Sequence, residues 1–216
     1  MTTLLLIRHA TNDFVKTGKL AGWTPGVHLN DEGKAQAEVL GLRLKDAPLN
    51  AIYASPLERT METAQAIQQH HPKLMIQPHE TIGEVLYGDW EGMKISALSK
   101  RKMWQVVQEY PSRAYFPNGE TMRGVQMRVV NALEELVVKH PAQVLAIVFH
   151  ADLIKMAVAH YLGVHLDNFQ RIVISPASIS TIQLGHSRPY IATVNDCAHV
   201  TELERKQKQD RQEQQV

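Results

Sequence analysis

Cysteine, long hydrophobic runs and an excess of charge of one sign are all lacking in this chain. Cys197 is the single cysteine among 216 residues, so no internal disulfide can form, which fits a reducing compartment. The formal net charge is +1, which predicts neither a nucleic-acid nor a membrane partner. No stretch approaches the roughly 18 apolar residues of a spanning helix, and the apolar run at 4–7 is too short for a signal peptide. We therefore expect a cytoplasmic protein.

The length and composition predict one globular domain. Hydrophobic residues make up 44% and charged residues 21% of the chain, which is ordinary for a folded protein with a full core. We assign residues 1–200 to this domain. Residues 201–216 are polar and poor in apolar side chains, so we expect a frayed helix or disorder there. The expected assembly is a monomer or a homodimer.

Strand and helix patterns alternate along the domain. The strand candidate at 143–150 is a near-continuous apolar run, which is typical of a strand buried on both faces. The alternation predicts an α/β fold with a mostly parallel sheet and helices on both faces. The helix from residue 31 is expected to begin at Asn30 as N-cap and to place Ala35, Val39, Leu42 and Leu44 near one face. The strand candidates are 3–8, 50–55, 143–150, 171–176, 178–184 and 190–195, and the helix candidates are 31–45, 57–70, 121–140 and 151–162.

Cationic and imidazole side chains follow the ends of three predicted strands. Arg8 and His9 end the first, Arg59 lies in the first turn of the helix after the second, and His150 ends the third. Ligands of open α/β sheets bind beyond the carboxyl ends of the strands, so these side chains are expected to converge. Taken singly, each has an ordinary structural explanation, such as a surface arginine or a core histidine. Their shared placement favours a function.

The chemistry of this set suits a phosphate group. The planar donor fork of arginine fits phosphate with two hydrogen bonds, and a histidine nitrogen can act as a nucleophile. Two arginines and a second histidine can balance a phosphate dianion without a metal. The chain has 11 histidines, but their spacing matches no metal-ligand pattern. We therefore expect no metal and no cofactor.

Six short motifs follow one another along the chain. They are Arg8-His9, LNDEGKAQA at 29–37, SPLERTMETA at 55–64, GEVLYGDWEG at 83–92, NGET at 118–121 and FHADLIK at 149–155. In content and order this set resembles the histidine phosphatase superfamily, the phosphoglycerate mutase-like proteins, and the resemblance covers residues 3 to about 195. It implies a three-layer α/β/α sandwich with a mostly parallel central sheet.

The resemblance also implies roles for single residues. His9 matches the nucleophile that becomes phosphohistidine, and Glu84 the acid that protonates the leaving oxygen. Arg8, Arg59 and His150 match the phosphate-binding pocket. Chemically, His9 should attack as neutral imidazole, with its other nitrogen donating to a backbone carbonyl. His150 should serve as an imidazolium that donates to phosphoryl oxygens, and Glu84 should be protonated when substrate binds.

Departures from the family pattern lead to further expectations. Ala10 stands where the family usually has glycine, and Val15 where it has a phosphate-binding asparagine. We expect Asn12 to bind phosphate instead. Asp152, in a position that is often small or polar in the family, would repel phosphate if it faced the pocket, unless it oriented an arginine. We interpret Asp152 as a cap of the following helix. Trp90 and Trp104 are assigned to the core or, alternatively, to the cavity wall.

The substrate and the reaction type remain open at the level of the sequence. Specificity should come from residues 16–27, 84–118 and the region after His150; within these segments we expect Ala21, Gly22 and Tyr87 to contact substrate. We favour a metal-independent phosphomonoesterase acting on a small phosphorylated metabolite. The alternatives are a cofactor-dependent phosphoglycerate mutase and a non-catalytic phospho-ligand binding module. The stretch from Glu84 to Gly119 is short, whereas the family's mutases carry a longer insertion there, which favours the phosphatase.

Overall fold

A mixed β-sheet forms the centre of the molecule. The structure is a computed structural model that describes residues 1–185 and 187–213. These residues form six strands, which are numbered in chain order, and most of them lie close to the segments predicted from the sequence. The strands are β1 (Thr2–Arg8), β2 (Ala51–Ala54), β3 (Ile76–Pro78), β4 (Val144–Phe149), β5 (Ile179–Leu184) and β6 (Tyr190–Asp196).

The helices differ widely in length, and the four long ones predicted from the sequence are all present. Thr121 caps the longest of them, with its hydroxyl oxygen accepting from the backbone N–H of Gly124. Short 3₁₀ segments join several elements, including Leu166–Arg171. The α-helices are α1 (Asp13–Thr17), α2 (Asp31–Leu44), α3 (Glu58–Gln68), α4 (Ile95–Leu98), α5 (Lys102–Glu109), α6 (Met122–Lys139), α7 (Ala151–Tyr161) and α8 (Ala198–Glu213).

The sheet order is β3-β2-β4-β1-β5-β6. β1 pairs with β4, β4 with β2, and β2 with β3, all in parallel. β5 is antiparallel to both of its neighbours, so five of the six strands point the same way. β1 and β4 are adjacent, with Arg8 opposite Phe149 in the register. The strand ends that carry Arg8-His9 and His150 are therefore neighbours, as the sequence predicted.

Alternate residues of the central strands pack into two separate cores. On one face Leu4, Leu6 and Phe149 pack with apolar side chains of α6 and α7. On the other, Ile7 and Val148 pack with side chains of α2 and α3 and with the start of α8. The β-pleat explains this division, because successive side chains of a strand point to opposite faces. The expected three-layer α/β/α arrangement is confirmed.

The buried face of α2 differs from the expected one. Asn30 caps the helix as predicted, accepting from the backbone N–H of Gly33 at 2.9 Å. However, Leu42 is 48% exposed. The helix turns its glycines inward instead: a Cβ at Gly33 would lie 1.9 Å from the carbonyl oxygen of Thr11, and one at Gly41 would lie 2.4 Å from that of Ala66. Close backbone approach, rather than the largest side chains, selects this face. The buried residues are Gly33, Gln36, Ala37, Leu40, Gly41 and Leu44.

One strand assignment is also wrong, and one strand was missed. Residues 171–176 form no strand: Arg171 ends the 3₁₀ segment, and the carbonyl oxygen of Ile174 accepts from Nη1 of Arg8 at 2.7 Å. The segment crosses the strand ends instead of pairing with a strand. Conversely, β3 was not predicted, because an edge strand of three residues ending in proline has no clear pattern.

Helix α8 crosses the predicted boundary at residue 200. Val200 is buried, and residues 201–213 of the polar tail continue the helix. Residues 214–216 lie outside the described part of the chain. Among the described helices, none is long and apolar enough to cross a membrane.

Candidate active site

His9 lies just past the carboxyl end of β1 and is 4% exposed. Its Nδ1 atom is 2.7 Å from the carbonyl oxygen of Ala10. A carbonyl accepts only, so Nδ1 carries the proton and Nε2 keeps its lone pair. Burial, together with the nearby guanidinium groups of Arg59 and Arg8, holds the pKa of His9 well below its usual value. The imidazole is therefore neutral, which is the form a nucleophile requires.

Arg8 and Arg59 supply positive charge beside His9. Both line the same cavity as His9. Arg59 is 1% exposed and lies in the first turn of α3, as predicted, with its Nη2 atom donating to the carbonyl oxygen of Gly22 at 2.9 Å. Three buried donor atoms, Nε of Arg8 and Nε and Nη1 of Arg59, have no hydrogen-bond partner among the described residues. Buried donors of this kind are costly unless a ligand accepts from them.

Gly22 fixes the loop that holds Arg59. Its φ is +51°, and an added Cβ would lie 2.7 Å from the side chain of Glu91. Glycine therefore allows both the left-handed backbone and the close approach. The carbonyl oxygen of Gly22 then faces the guanidinium group of Arg59. Gly22 and Ala21 both line the cavity, and their contact with substrate stays a prediction.

His150 is fully buried behind the cavity wall. Its ring centroid lies 5.4 Å from that of His9. Nε2 is hydrogen-bonded to the hydroxyl of Ser55 at 2.8 Å, and Nδ1 lies 3.4 Å from Nη2 of Arg59. Burial and the neighbouring Arg59 hold the pKa of His150 well below its usual value. His150 is therefore neutral in this structure, and the imidazolium expected from the sequence needs the negative charge of a bound phosphate.

Glu84 completes the group of titratable side chains. Its Oε2 atom lies 3.4 Å from Nδ1 of His150 and 3.9 Å from Nη2 of Arg59. Burial raises the pKa of Glu84 to about 7, with Asp152 adding to the rise and Arg59 and Arg8 opposing it. A carboxyl group with this pKa can both give and take a proton near neutral pH.

An ion pair between helix α6 and the NGET motif holds the backbone of Glu84 in place. Arg128 donates from Nη2 to the carbonyl oxygen of Glu84 at 2.9 Å and from Nε to Glu120 at 2.6 Å. Nε1 of Trp23 donates to the same Glu84 carbonyl oxygen at 2.7 Å. Arg128 and Trp23 were not singled out in the sequence analysis. No local pattern indicates them, because both act through backbone oxygens that only the fold brings near.

The departures near His9 have structural explanations. Ala10 does not take a positive φ, so glycine is not required there. Asn12 is 1% exposed, lines the cavity and caps α1 through its side-chain oxygen, which accepts from the backbone N–H of Val15. Its Nδ2 atom is buried and has no partner among the described residues. This amide therefore keeps a donor that is available to a ligand in the cavity.

The interpretation of Asp152 as a helix cap is wrong. His150 is the N-cap of α7 and makes no side-chain capping bond. Asp152 instead lines the cavity and accepts from the hydroxyl of Tyr87 at 3.2 Å and from Nζ of Lys155 at 3.2 Å. Burial first, and then the negative charges of Glu84 and Asp152, hold the pKa of Tyr87 well above its usual value, so its phenol stays protonated and donates.

The cavity has a volume of about 390 Å³. Trp90 does not line it: this side chain is 2% exposed and stacks on Trp104 in the core. Apart from the residues above, the cavity wall consists mostly of apolar residues with two polar side chains. These are Phe14, Val15, Gly18, Lys19, Leu20, Ile95, Ala151, Gln170, Ile172, Val173 and Ile174. Within residues 1–185 and 187–213, no cluster of three or more His, Cys, Asp or Glu side chains could hold a metal ion.

Comparison with known proteins identifies the family. The model of the histidine phosphatase superfamily (branch 1) matches residues 4–197. Phosphoserine phosphatase 1 of Hydrogenobacter thermophilus is 30% identical over 208 residues, which cover 94% of this chain and 96% of that protein. A 2,3-bisphosphoglycerate-dependent phosphoglycerate mutase of Gloeothece citriformis is 25% identical, with 93% and 97% covered.

Solved structures agree with this result. Bacillus stearothermophilus YhfR superimposes with a TM-score of 0.87 at 26% identity and covers 93% of this chain and 100% of its own. The chain therefore belongs to the histidine phosphatase superfamily, and the expected phosphoric monoester hydrolase with a phosphoglycerate mutase-like fold is confirmed.

Proposed function

We propose that this enzyme is a metal-independent phosphomonoesterase that passes the phosphoryl group of a small metabolite to His9 and then to water. The observation that carries the proposal is the state of His9. A neutral imidazole, oriented by the Ala10 carbonyl, lies in a cavity that the side chains of Arg8 and Arg59 also line. Such a nucleophile beside a dianion site suits in-line attack on phosphorus.

In the first half-reaction, Nε2 of His9 forms a bond to phosphorus as the bond to the ester oxygen breaks. Glu84 in its protonated form gives its proton to that oxygen, so the alcohol leaves neutral. The unpartnered donors of Arg8, Arg59 and Asn12 bind the phosphoryl oxygens. The bound dianion raises the pKa of His150, whose imidazolium then adds a further positive charge.

In the second half-reaction, the Glu84 carboxylate takes a proton from water as the water oxygen attacks phosphorus. The bond from phosphorus to Nε2 breaks, which releases inorganic phosphate and restores the neutral imidazole of His9. A pKa of about 7 for Glu84 suits both directions of proton transfer. The charge of the transferring group is balanced by guanidinium groups, so the proposal needs no metal ion.

A phosphomutase activity is the second candidate function, because the relatives include a phosphoglycerate mutase as well as a phosphoserine phosphatase. The short connection between Glu84 and Gly119 supports hydrolysis, since little chain is left to shield a phosphoenzyme from water. A non-catalytic module that binds phosphorylated ligands is the third hypothesis. It gives no reason for a neutral, oriented imidazole in the same cavity as a carboxyl group with a pKa of about 7.

One experiment separates the three. The enzyme is incubated with a panel of phosphomonoesters, with and without chelator, and inorganic phosphate and isomerised ester are both measured. The proposal predicts phosphate release at the rate of substrate loss, unchanged by chelator. Conversion of 3- to 2-phosphoglycerate that depends on a bisphosphate primer, with little phosphate release, would establish the mutase. Binding of esters without turnover of any of them would establish the binding module.

A further inference from the structure

We propose that Asp152, Lys155 and Gln170 form a subsite for the alcohol part of the substrate, and that this subsite selects esters whose alcohol carries both an ammonium group and a carboxylate. The inference rests on the proposed phosphomonoesterase function and adds the chemical class of the substrate. Its starting point is Asp152, a carboxylate in a cavity that otherwise suits an anion.

The three side chains form a connected group in one wall of the cavity. Nζ of Lys155 donates to Oδ1 of Asp152 at 3.2 Å and to Oε1 of Gln170 at 2.9 Å. The hydroxyl of Tyr87 donates to Oδ2 of Asp152 at 3.2 Å. All four residues line the cavity that contains His9. Asp152 and Lys155 are only 23% and 16% exposed, so their positions are well defined by their partners.

Helix stability explains part of this arrangement but not all of it. An acidic residue in the first turn of α7 interacts favourably with the helix dipole. A solvent-facing carboxylate would serve that purpose without entering an anion-binding cavity. Asp152 instead faces the cavity and is held there by Tyr87, whose phenol is itself buried. Its contacts to Tyr87 and Lys155 offset the cost of placing a charge there and hold the carboxylate in the cavity wall.

The group retains hydrogen-bonding capacity of both kinds. A carboxylate has about four acceptor positions and an ammonium group three donors. Asp152 uses its two oxygens for one contact each, and Lys155 uses two donors, so an acceptor and a donor remain. The Gln170 amide nitrogen makes no hydrogen bond among the described residues and adds further donors. An ammonium group suits Asp152, and a carboxylate suits Lys155 and Gln170.

The charges of the site favour the same class of ester. The phosphate dianion is balanced by the guanidinium groups of Arg8 and Arg59. The ion pair of Asp152 with Lys155 has no net charge, so a zwitterionic alcohol, which also has none, leaves the subsite balanced. An alcohol that has the carboxylate but lacks the ammonium group adds a negative charge beside Asp152, which the subsite leaves unbalanced. Lys19, the remaining lysine of the wall, is exposed to solvent, which screens it.

Three esters of primary alcohols test the subsite. 3-Phosphoglycerate differs from O-phosphoserine by a hydroxyl in place of the ammonium group, and phosphoethanolamine lacks the carboxylate. All three need the leaving oxygen to be protonated, so differences between them report the subsite. Each of the other two esters lacks one hydrogen bond between charged groups, so kcat/KM for O-phosphoserine should exceed that for each of them by about tenfold or more.

Two variants test which residues cause the preference for O-phosphoserine. Asp152→Asn should remove the preference for O-phosphoserine over 3-phosphoglycerate. A ratio of two similar esters also cancels the effect of Asp152 on the Glu84 pKa. Lys155→Met should lower kcat/KM for both carboxylate-bearing esters relative to phosphoethanolamine and leave the ratio between those two in place. Unchanged ratios in both variants would overturn the assignment of these residues.

The wild-type enzyme alone already decides the substrate class, so the test does not depend on the folding of a variant. If it hydrolyses an aryl phosphate, and 3-phosphoglycerate is turned over as well as O-phosphoserine, the subsite proposal fails and the proposed function stands. If it hydrolyses neither the aryl phosphate nor any alkyl ester, the proposed function itself fails, and the subsite proposal falls with it.

Discussion

Oε2 of Glu84, a residue of the cavity wall, lies 3.4 Å from Nδ1 of the buried His150. This contact places a carboxyl group beside the imidazole that is expected to become charged when phosphate binds. Burial raises the pKa of Glu84 to about 7, so its protonated and ionised forms are both available under physiological conditions. The proposed role of Glu84 in proton transfer leads to two predictions.

Glu84→Gln should slow phosphoryl transfer from alkyl esters by about 10²–10⁴-fold, because the amide cannot protonate the leaving oxygen. An aryl phosphate, with its good leaving group, should lose far less. Single-turnover measurement isolates this step. Asp89→Asn is the matched control, since Asp89 is exposed and bonds to Asn118 outside the cavity lining. Equal losses on alkyl and aryl esters would exclude Glu84 as the acid.

The same carboxyl group should set the pH dependence of the first half-reaction. The acid must be protonated, so the single-turnover rate with an alkyl ester should fall as the pH rises through about 7, the pKa of Glu84. The pKa of His9 lies well below its usual value, so the nucleophile stays neutral over this range. The rate with an aryl phosphate, and the rate of Glu84→Gln with either ester, should lack this decline. A decline of the same size in Glu84→Gln would assign it to another group.

Much of the site could be predicted because its residues lie next to elements with strong patterns. Arg8-His9 and His150 follow apolar strands, and the adjacent parallel pairing of β1 with β4 brings them together. The position of Arg59 could be predicted because Ser55-Pro56 marks the start of a helix, which places Arg59 in its first turn. These residues are fixed by the general rule that parallel strands end at one edge of the sheet.

The remaining features depend on tertiary contacts that the chain does not encode locally. An aspartate in the first turn of a helix looks like a dipole or capping residue, and its turn toward Tyr87 follows from how α7 packs. The apolar run at 171–176 has the composition of a strand, yet it lines the cavity, because Arg8 binds the carbonyl oxygen of Ile174. At 171–176 tertiary contacts override the local strand propensity, whereas at Asp152 the predicted helix forms and packing sets only the direction of the side chain.

Arg59→Ala should reduce kcat/KM by an amount equivalent to about 2–5 kcal/mol, because it removes one side of a buried ion pair with the dianion. The suitable control is Arg43→Ala, an exposed arginine that pairs with Asp196 away from the cavity. Its kcat/KM should stay close to that of the wild type. If the two variants behave alike, Arg59 does not bind the phosphoryl group.

Gly22→Ala should lower both stability and activity. Gly22 and Gly26 both have positive φ values, +51° and +73°, so alanine at either site should cost about 1–2 kcal/mol of unfolding free energy. An added Cβ at Gly22 also meets Glu91, whereas nothing lies within 4 Å at Gly26. Thermal unfolding should therefore show a loss in both variants, the larger in Gly22→Ala. Only Gly22→Ala should lower kcat/KM, since it displaces the carbonyl that holds Arg59. An equal kcat/KM in the two variants would contradict this.

The covalent phosphoenzyme on His9 is the central claim, and trapping it is the most direct test. The wild-type enzyme is mixed with a phosphate ester labelled on phosphorus and quenched rapidly, and the bound label is measured after acid and base treatment. His9→Ala is compared with His160→Ala, whose histidine lies on the exposed side of α7. We predict an acid-labile, base-stable label in the wild type and in His160→Ala, and none in His9→Ala. Label bound equally by His9→Ala would contradict the account.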